Sequence, residues 1–151
     1  MNILLVVDLQ KEFIDHEGKY GEIIEFVKKA KENGFDEVYA TMTVNHPEGP
    51  YVKYARWYDC MGIVEPLEFN CDKLIIKHGY GLDSYEVLSK ENEYTIIGFN
   101  TDACVLKVAT DLFDRNYKFK VKLDCCYSSN GFDHHHRGVR LFKDLMPDAC
   151  I

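Results

Sequence analysis

The sequence predicts a single α/β domain over residues 1–151, with a parallel sheet covered by helices on both faces. Three observations carry that reading. Short Val- and Ile-rich runs alternate with stretches of helical periodicity, the order that βαβ units impose. The runs at 3–7 and 94–97 are largely apolar, as strands buried on both sides are. The length, 151 residues, suits one domain and is enough to bury a substantial core.

Taken in order, Ile3 to Val7 forms the first strand. A helical stretch follows, with Ile23, Phe26, Val27 and Ala30 at the i, i+3, i+4, i+7 spacing of one buried face. Asn33-Gly34 ends it, and Gly34 suits a left-handed cap. Glu37–Thr41, Leu74–Lys77 and Tyr94–Ile97 are the second, third and fourth strands. A helix over 102–116 carries Val105, Val108, Ala109 and Leu112 on one stripe, with Thr101 or Asp102 as its cap. Phe119–Leu123 is a fifth strand. Gly138, Val139, Leu141, Phe142 and Leu145 mark a last helix. The segment 45–66 breaks the alternation: it holds three of the four prolines together with Tyr51, Tyr54, Trp57 and Tyr58. It reads as a binding loop or lid, as a packed surface loop, or as an interface.

Composition narrows the function classes. Hydrophobic residues make up 46% and charged residues 28%, which excludes a disordered chain. A net charge of −7 without a Lys/Arg cluster argues against a nucleic-acid partner. The apolar run in MNILLVVDLQ is too short to span a bilayer and lacks a basic lead and a cleavage pattern, so no membrane association is expected. Cysteines stand at 60, 71, 104, 125, 126 and 150 with no CxxC pair or zinc-type spacing. They read as reduced thiols of a cytoplasmic protein. No G-x-G-x-x-G follows the first strand, where LQKEF stands instead, which disfavours a nucleotide-binding module.

In an open parallel sheet, ligands sit beyond the carboxyl ends of the strands, near the point where strand order reverses. Polar residues that close apolar strands therefore come first. Asp8 closes the first strand; it is either a partly desolvated base or a cap on the turn Leu9-Gln10-Lys11. Lys77 closes the third, either entering a site or reaching into water. His78 follows it and points to the opposite face. Cys104 falls in the first turn of the helix after the fourth strand, with Gly98 permitting a sharp turn between them. There the helix dipole and unpaired N–H groups stabilise a thiolate and can receive an oxyanion. The alternative is a buried structural cysteine.

VVDLQKEF, the lysine of KHGYG, and GFNTDACVLKVATDLFDRNYKFKV resemble the isochorismatase-like cysteine hydrolases, which include nicotinamidases and related amidases. The last block is similar to the family's G-x-x-T-D-x-C-V pattern, and the resemblance spans nearly the whole chain. It implies a three-layer α/β/α, Rossmann-like fold with five or six strands in the order 3-2-1-4-5(-6). It also implies a catalytic triad of Asp8, Lys77 and Cys104, a cis peptide between Phe99 and Asn100, and an oxyanion hole made by the Asn100 and Cys104 amides. Phe13 matches a pocket aromatic of relatives, with Trp57 and Tyr80 as companions; the alternative for each is packing.

The implied reaction is hydrolysis of a small-molecule amide through a thioester, with no cofactor and with a homo-oligomeric protein. Two competitors remain. One is a triad-bearing binding protein with weak or no hydrolysis, and the other is a metal-assisted nicotinamidase. Nicotinamidases hold a metal with an aspartate and histidines after the second strand. TMTVNHPEGPYVKYARW offers only His46 there, beside Asn45 and Thr43, so no metal is expected. The HHH at 134–136 points three ways around a helix and reads as a solvated cap.

Overall fold

In the computed structural model, which describes residues 1–62 and 64–151, five strands form one sheet. They are β1 (Asn2–Val7), β2 (Glu37–Thr43), β3 (Lys73–Lys77), β4 (Glu93–Phe99) and β5 (Lys118–Tyr127). Their order is β3-β2-β1-β4-β5, and every neighbouring pair is parallel. A sixth position is only begun at the outer edge of β5. Ile151 exchanges backbone hydrogen bonds with Val121 and Leu123, and Cys150 forms an isolated bridge to Val121.

β1 lies at the centre because it can be buried on both faces. Ile3 to Val7 are all 0% exposed. Ile3, Leu5 and Val7 pack against Val105, Val108 and Leu112 of α3 (Cys104–Asp114) and Phe142 of α4 (Phe132–Leu145). Leu4 and Val6 pack the opposite way, against Ile23, Ile24 and Val27 of α1 (Lys19–Lys28). Each fully buried aliphatic side chain contributes about 1.5–3 kcal/mol, so this two-sided strand anchors the three layers.

Several boundaries differ from the sequence reading. α1 ends at Lys28, and turns carry the chain to Gly34, whose φ of 89° is left-handed but lies beyond the helix. Two crossovers lack a full helix. Among its described residues, segment 45–66 contains one helix, the six-residue α2 (Pro50–Ala55), and the link from β3 to β4 has a 3-10 turn, Tyr85–Val87. One face of the edge strand β3 is therefore left open, with Leu74 and Ile76 49% and 41% exposed.

Gly98 does not make a turn. It lies inside β4 with φ 123°, where a Cβ would fall 2.0 Å from the Val7 carbonyl oxygen. Only glycine lets β4 run this close to β1. The register of β4 against β5 slips between Ile96 and Gly98 at the same place. The carboxyl ends of β1 and β4 are thus pressed together at the reversal of strand order.

Candidate active site

Three chain segments converge at that end of the sheet. Asp8 follows β1 directly and has a left-handed backbone, φ 47°, a conformation that Asp tolerates better than most residues. Its side chain is fully buried. Oδ1 accepts the Thr41 hydroxyl at 2.7 Å and Oδ2 the Thr43 hydroxyl at 2.8 Å. Asp8 does not cap the turn after it. The Gln10 side chain reaches across to β2, accepting from the Thr43 N–H and donating to the Thr43 carbonyl. This pair of side-chain bonds continues the β1–β2 pairing beyond the strand.

Lys77 is 0% exposed, so it does not reach into water. Its register partner in β2 is Thr43. Register neighbours in a parallel sheet share a face, so Lys77 points where Thr41 and Thr43 point. Its Nζ lies 2.9 Å from Asp8 Oδ2 and 3.4 Å from Cys104 Sγ. It also donates to the Gly79 and Tyr80 carbonyls at 2.6 and 3.2 Å. Burial pushes the ammonium down, but Asp8 and Cys104 outweigh it and the net direction is up. Lys77 is held as a cation.

Cys104 is the first residue of α3. Neither Thr101 nor Asp102 caps that helix; both side chains are engaged by α4. Thr101 Oγ1 bonds His135 Nδ1 at 2.7 Å, and Asp102 accepts from Arg137 at 2.6 Å with His134 Nδ1 at 3.3 Å. Two of the three consecutive histidines thus brace the loop before Cys104 rather than forming a solvated cap. Gly138 permits the contact, since a Cβ there would meet the Asp102 nitrogen at 2.7 Å. The peptide joining Phe99 and Asn100 is cis. The Asn100 carbonyl accepts from the Ala103 and Val105 amides, and its side-chain oxygen accepts from Ser129 N–H.

The thiol is not a preformed thiolate. Burial, followed by the Asp8 charge, pushes Cys104 up to about 12, while Lys77 and Tyr51 pull the other way. Desolvation is the largest influence on the sulfur, and it opposes the ionised form expected at a helix N-terminus. Cys104 rests as a thiol beside a carboxylate and an ammonium.

The pocket over the sulfur has a volume of about 470 Å³. Phe13, Trp57 and Tyr80, the three aromatics expected there, all line it. Phe13 and Trp57 stack at 5.9 Å and 10°. Segment 45–66 supplies one wall through Tyr51 and Trp57, while Tyr54 and Tyr58 are exposed and lie outside the cavity lining. Tyr51, from α2, packs edge-on to Trp57 and Tyr80 and places its hydroxyl 3.7 Å from Cys104 Sγ. Burial pushes its phenol well above the usual range, which keeps the O–H proton in place beside the sulfur.

The sequence reading gave no site role to Thr41, Thr43 or Gln10, and it named Tyr51 only as one aromatic of the 45–66 segment. The T-x-T at the end of β2 was a usable signal, since its period of two puts both hydroxyls on one face.

The stretch after β2 does not fit a metal. Asn45 is buried, and its amide donates to the Trp57 and Asp59 carbonyls while its oxygen accepts from His46 N–H. His46 Nδ1 accepts from Glu48 N–H. Asn45 and the Nδ1 of His46 are thus spent on shaping the loop. Among the described residues no three His, Cys, Asp or Glu side chains cluster as ligands.

Fold and site together define a three-layer α/β protein with a buried Asp–Lys–Cys cluster at the reversal of strand order. Residues 2–147 match the model of the isochorismatase domain; the chain belongs to the isochorismatase family and is a hydrolase of that family. By sequence, no curated protein matches it. Among solved structures, it is similar in fold to the pyrazinamidase of Pyrococcus horikoshii in complex with zinc. That match has a TM-score of 0.74 and 22% identity, covering 99% of this chain and 96% of the other. It is similar also to N-carbamoylsarcosine amidase from Thermoplasma acidophilum, with a TM-score of 0.75, 20% identity, and coverage of 95% and 91%. The pyrazinamidase/nicotinamidase of Streptococcus mutans gives a TM-score of 0.73 at 18% identity, with all of both chains covered.

Proposed function

We propose that this protein cleaves the C–N bond of a small-molecule amide through a thioester on Cys104. The observation that carries the reading is the 2.9 Å contact of Lys77 Nζ with Asp8 Oδ2, with the Cys104 sulfur 3.4 Å from the same nitrogen. A carboxylate, an ammonium and a thiol closed off from water under a cavity are the parts of nucleophilic catalysis.

Because the sulfur rests protonated, Asp8 takes the thiol proton as the sulfur attacks the carbonyl carbon. Lys77 pairs with the Asp8 carboxylate and faces the sulfur as charge develops on it. The two threonine hydroxyls fix the carboxylate so that the proton travels a short, set path. The Asn100 and Cys104 amides receive the oxyanion; among the described residues neither donates to another acceptor. Collapse of the tetrahedral species breaks the C–N bond, and the proton held by Asp8 goes to the leaving nitrogen. Water, deprotonated by Asp8, then cleaves the thioester to a carboxylic acid and restores the thiol. The similar structures named as amidases support the choice of an amide.

We place the enzyme in the cytoplasm, as a homo-oligomer acting on a small molecule; its six free cysteines support a reducing compartment. No helix among the described residues is long and apolar enough to cross a membrane.

A library of primary amides and esters, assayed with wild type and Cys104→Ala, tests the proposal. Wild type should turn over at least one amide, and Cys104→Ala none, with an unchanged fold by circular dichroism. Asp8→Asn should fail nearly as badly. Turnover that survives in Cys104→Ala refutes the assignment.

A further inference from the structure

The cavity over Cys104 is unevenly charged. Two carboxylates line it, Glu12 from the 3-10 turn after β1 and Asp59 from the segment after α2. Its other lining groups are aromatic, aliphatic or uncharged polar ones such as Asn100, Ser129 and Asn130, with no lysine, arginine or histidine among them. The one ammonium beneath the cavity is committed. Lys77 faces Asp8, the Gly79 and Tyr80 carbonyls and the Cys104 sulfur, and Asp8 neutralises it.

Glu12 is also half-satisfied. Oε1 accepts the Glu65 N–H at 2.9 Å, whereas Oε2 is shielded from water and has no hydrogen-bond partner among the described residues. A carboxylate on the cavity wall offers a ligand N–H a charge-assisted bond. The stacked faces of Phe13 and Trp57 stand on the same cavity, and aromatic faces attract cations.

We infer that the substrate is a small amide whose far end carries a positive charge, an ammonium or a guanidinium, which Glu12 and Asp59 receive beside the Phe13–Trp57 wall while the carbonyl lies over Cys104. This rests on the hydrolase reading above. An anionic amide would meet two carboxylates and no lining cation.

Trp57 is the single tryptophan of the chain, so its fluorescence reports occupancy without turnover. Cys104→Ala is titrated with 3-(aminomethyl)benzamide, 3-ethylbenzamide and 3-carboxybenzamide, which differ chiefly in charge. The cation should bind at least tenfold tighter than the neutral compound, and the anion weakest. The advantage should shrink with added salt. Glu12→Gln keeps an acceptor for Glu65 N–H and should remove about tenfold of the preference, as should Asp59→Asn. Equal binding of the three, no measurable binding of any, or a preference that survives in the double variant overturns the inference. Ammonia release by wild type is read separately. Turnover that is blind to charge sinks the cation assignment and leaves the hydrolase standing. Cation-selective binding without release upholds the assignment and counts against hydrolysis.

Discussion

Replacing Lys77 by methionine keeps the length of the side chain and deletes its charge. At 2.9 Å the ammonium and the Asp8 carboxylate attract by about 6 kcal/mol at an effective dielectric near 20. Desolvation of both ions offsets much of this, so the pair adds little net stability. Removing one partner is a different matter, because it leaves a carboxylate buried with only two threonine hydroxyls, and such losses run to about 3–5 kcal/mol. Urea unfolding at pH 7 should show a loss of that size. Asp8→Asn should also destabilise, and the double variant should recover at least 2 kcal/mol relative to the sum of the single costs, the signature of a coupled pair. The pH dependence has a definite sign. Lys77 is raised above its ordinary value near 10.5, so its contribution is complete below that value and disappears as pH rises through the folded one. Alkylation by iodoacetamide tests the chemistry in the same samples. Lys77 is one of the two contacts that pull the Cys104 thiol down, so the variant should react at least tenfold more slowly at that cysteine. Additive stability costs together with an unchanged alkylation rate would refute the reasoning.

Thr43→Val removes the hydroxyl that meets Asp8 Oδ2 at 2.8 Å. It should cost about 1.5–3 kcal/mol in urea unfolding, as for a hydrogen bond to a charge, and lower kcat more than it changes KM. Gly98→Ala should not fold to the native state, because its Cβ would overlap the Val7 carbonyl; a native circular dichroism spectrum and melting curve would contradict the close β1–β4 approach. Burial raises Cys104 to about 12 and Cys126 still further, from an ordinary value near 9. Between pH 9 and the folded values the unfolded chain releases these protons and the folded one retains them. Stability should therefore fall by about 1.4 kcal/mol per pH unit for each of the two thiols, and Cys104→Ala should flatten its share of the slope.

Local patterns were enough to mark the five strands and the helix expected over 102–116; they singled out Asp8, Lys77 and Cys104 as candidates, but only the family resemblance implied that the three meet. An apolar run buried on both sides leaves its sign in sequence at every position, and so does a helix with one apolar stripe. The boundaries were less legible. α1 stops at Lys28 because turns through Gly34 return the chain to β2, and α3 starts uncapped because α4 has taken Thr101 and Asp102. Both outcomes depend on where distant segments lie.

The sequence by itself determined which chemical groups this protein could bring to bear: a carboxylate, an ammonium and a thiol, each closing a strand or opening a helix. The tertiary structure alone decided how they act. Register across β2 and β3 turned Lys77 inward and set two threonines on Asp8, while burial pushed the Cys104 thiol up. Tyr51 reaches that sulfur from 53 residues away in the chain. Contacts of that range follow from strand order, register and depletion of water, and no local pattern of residues encodes those quantities.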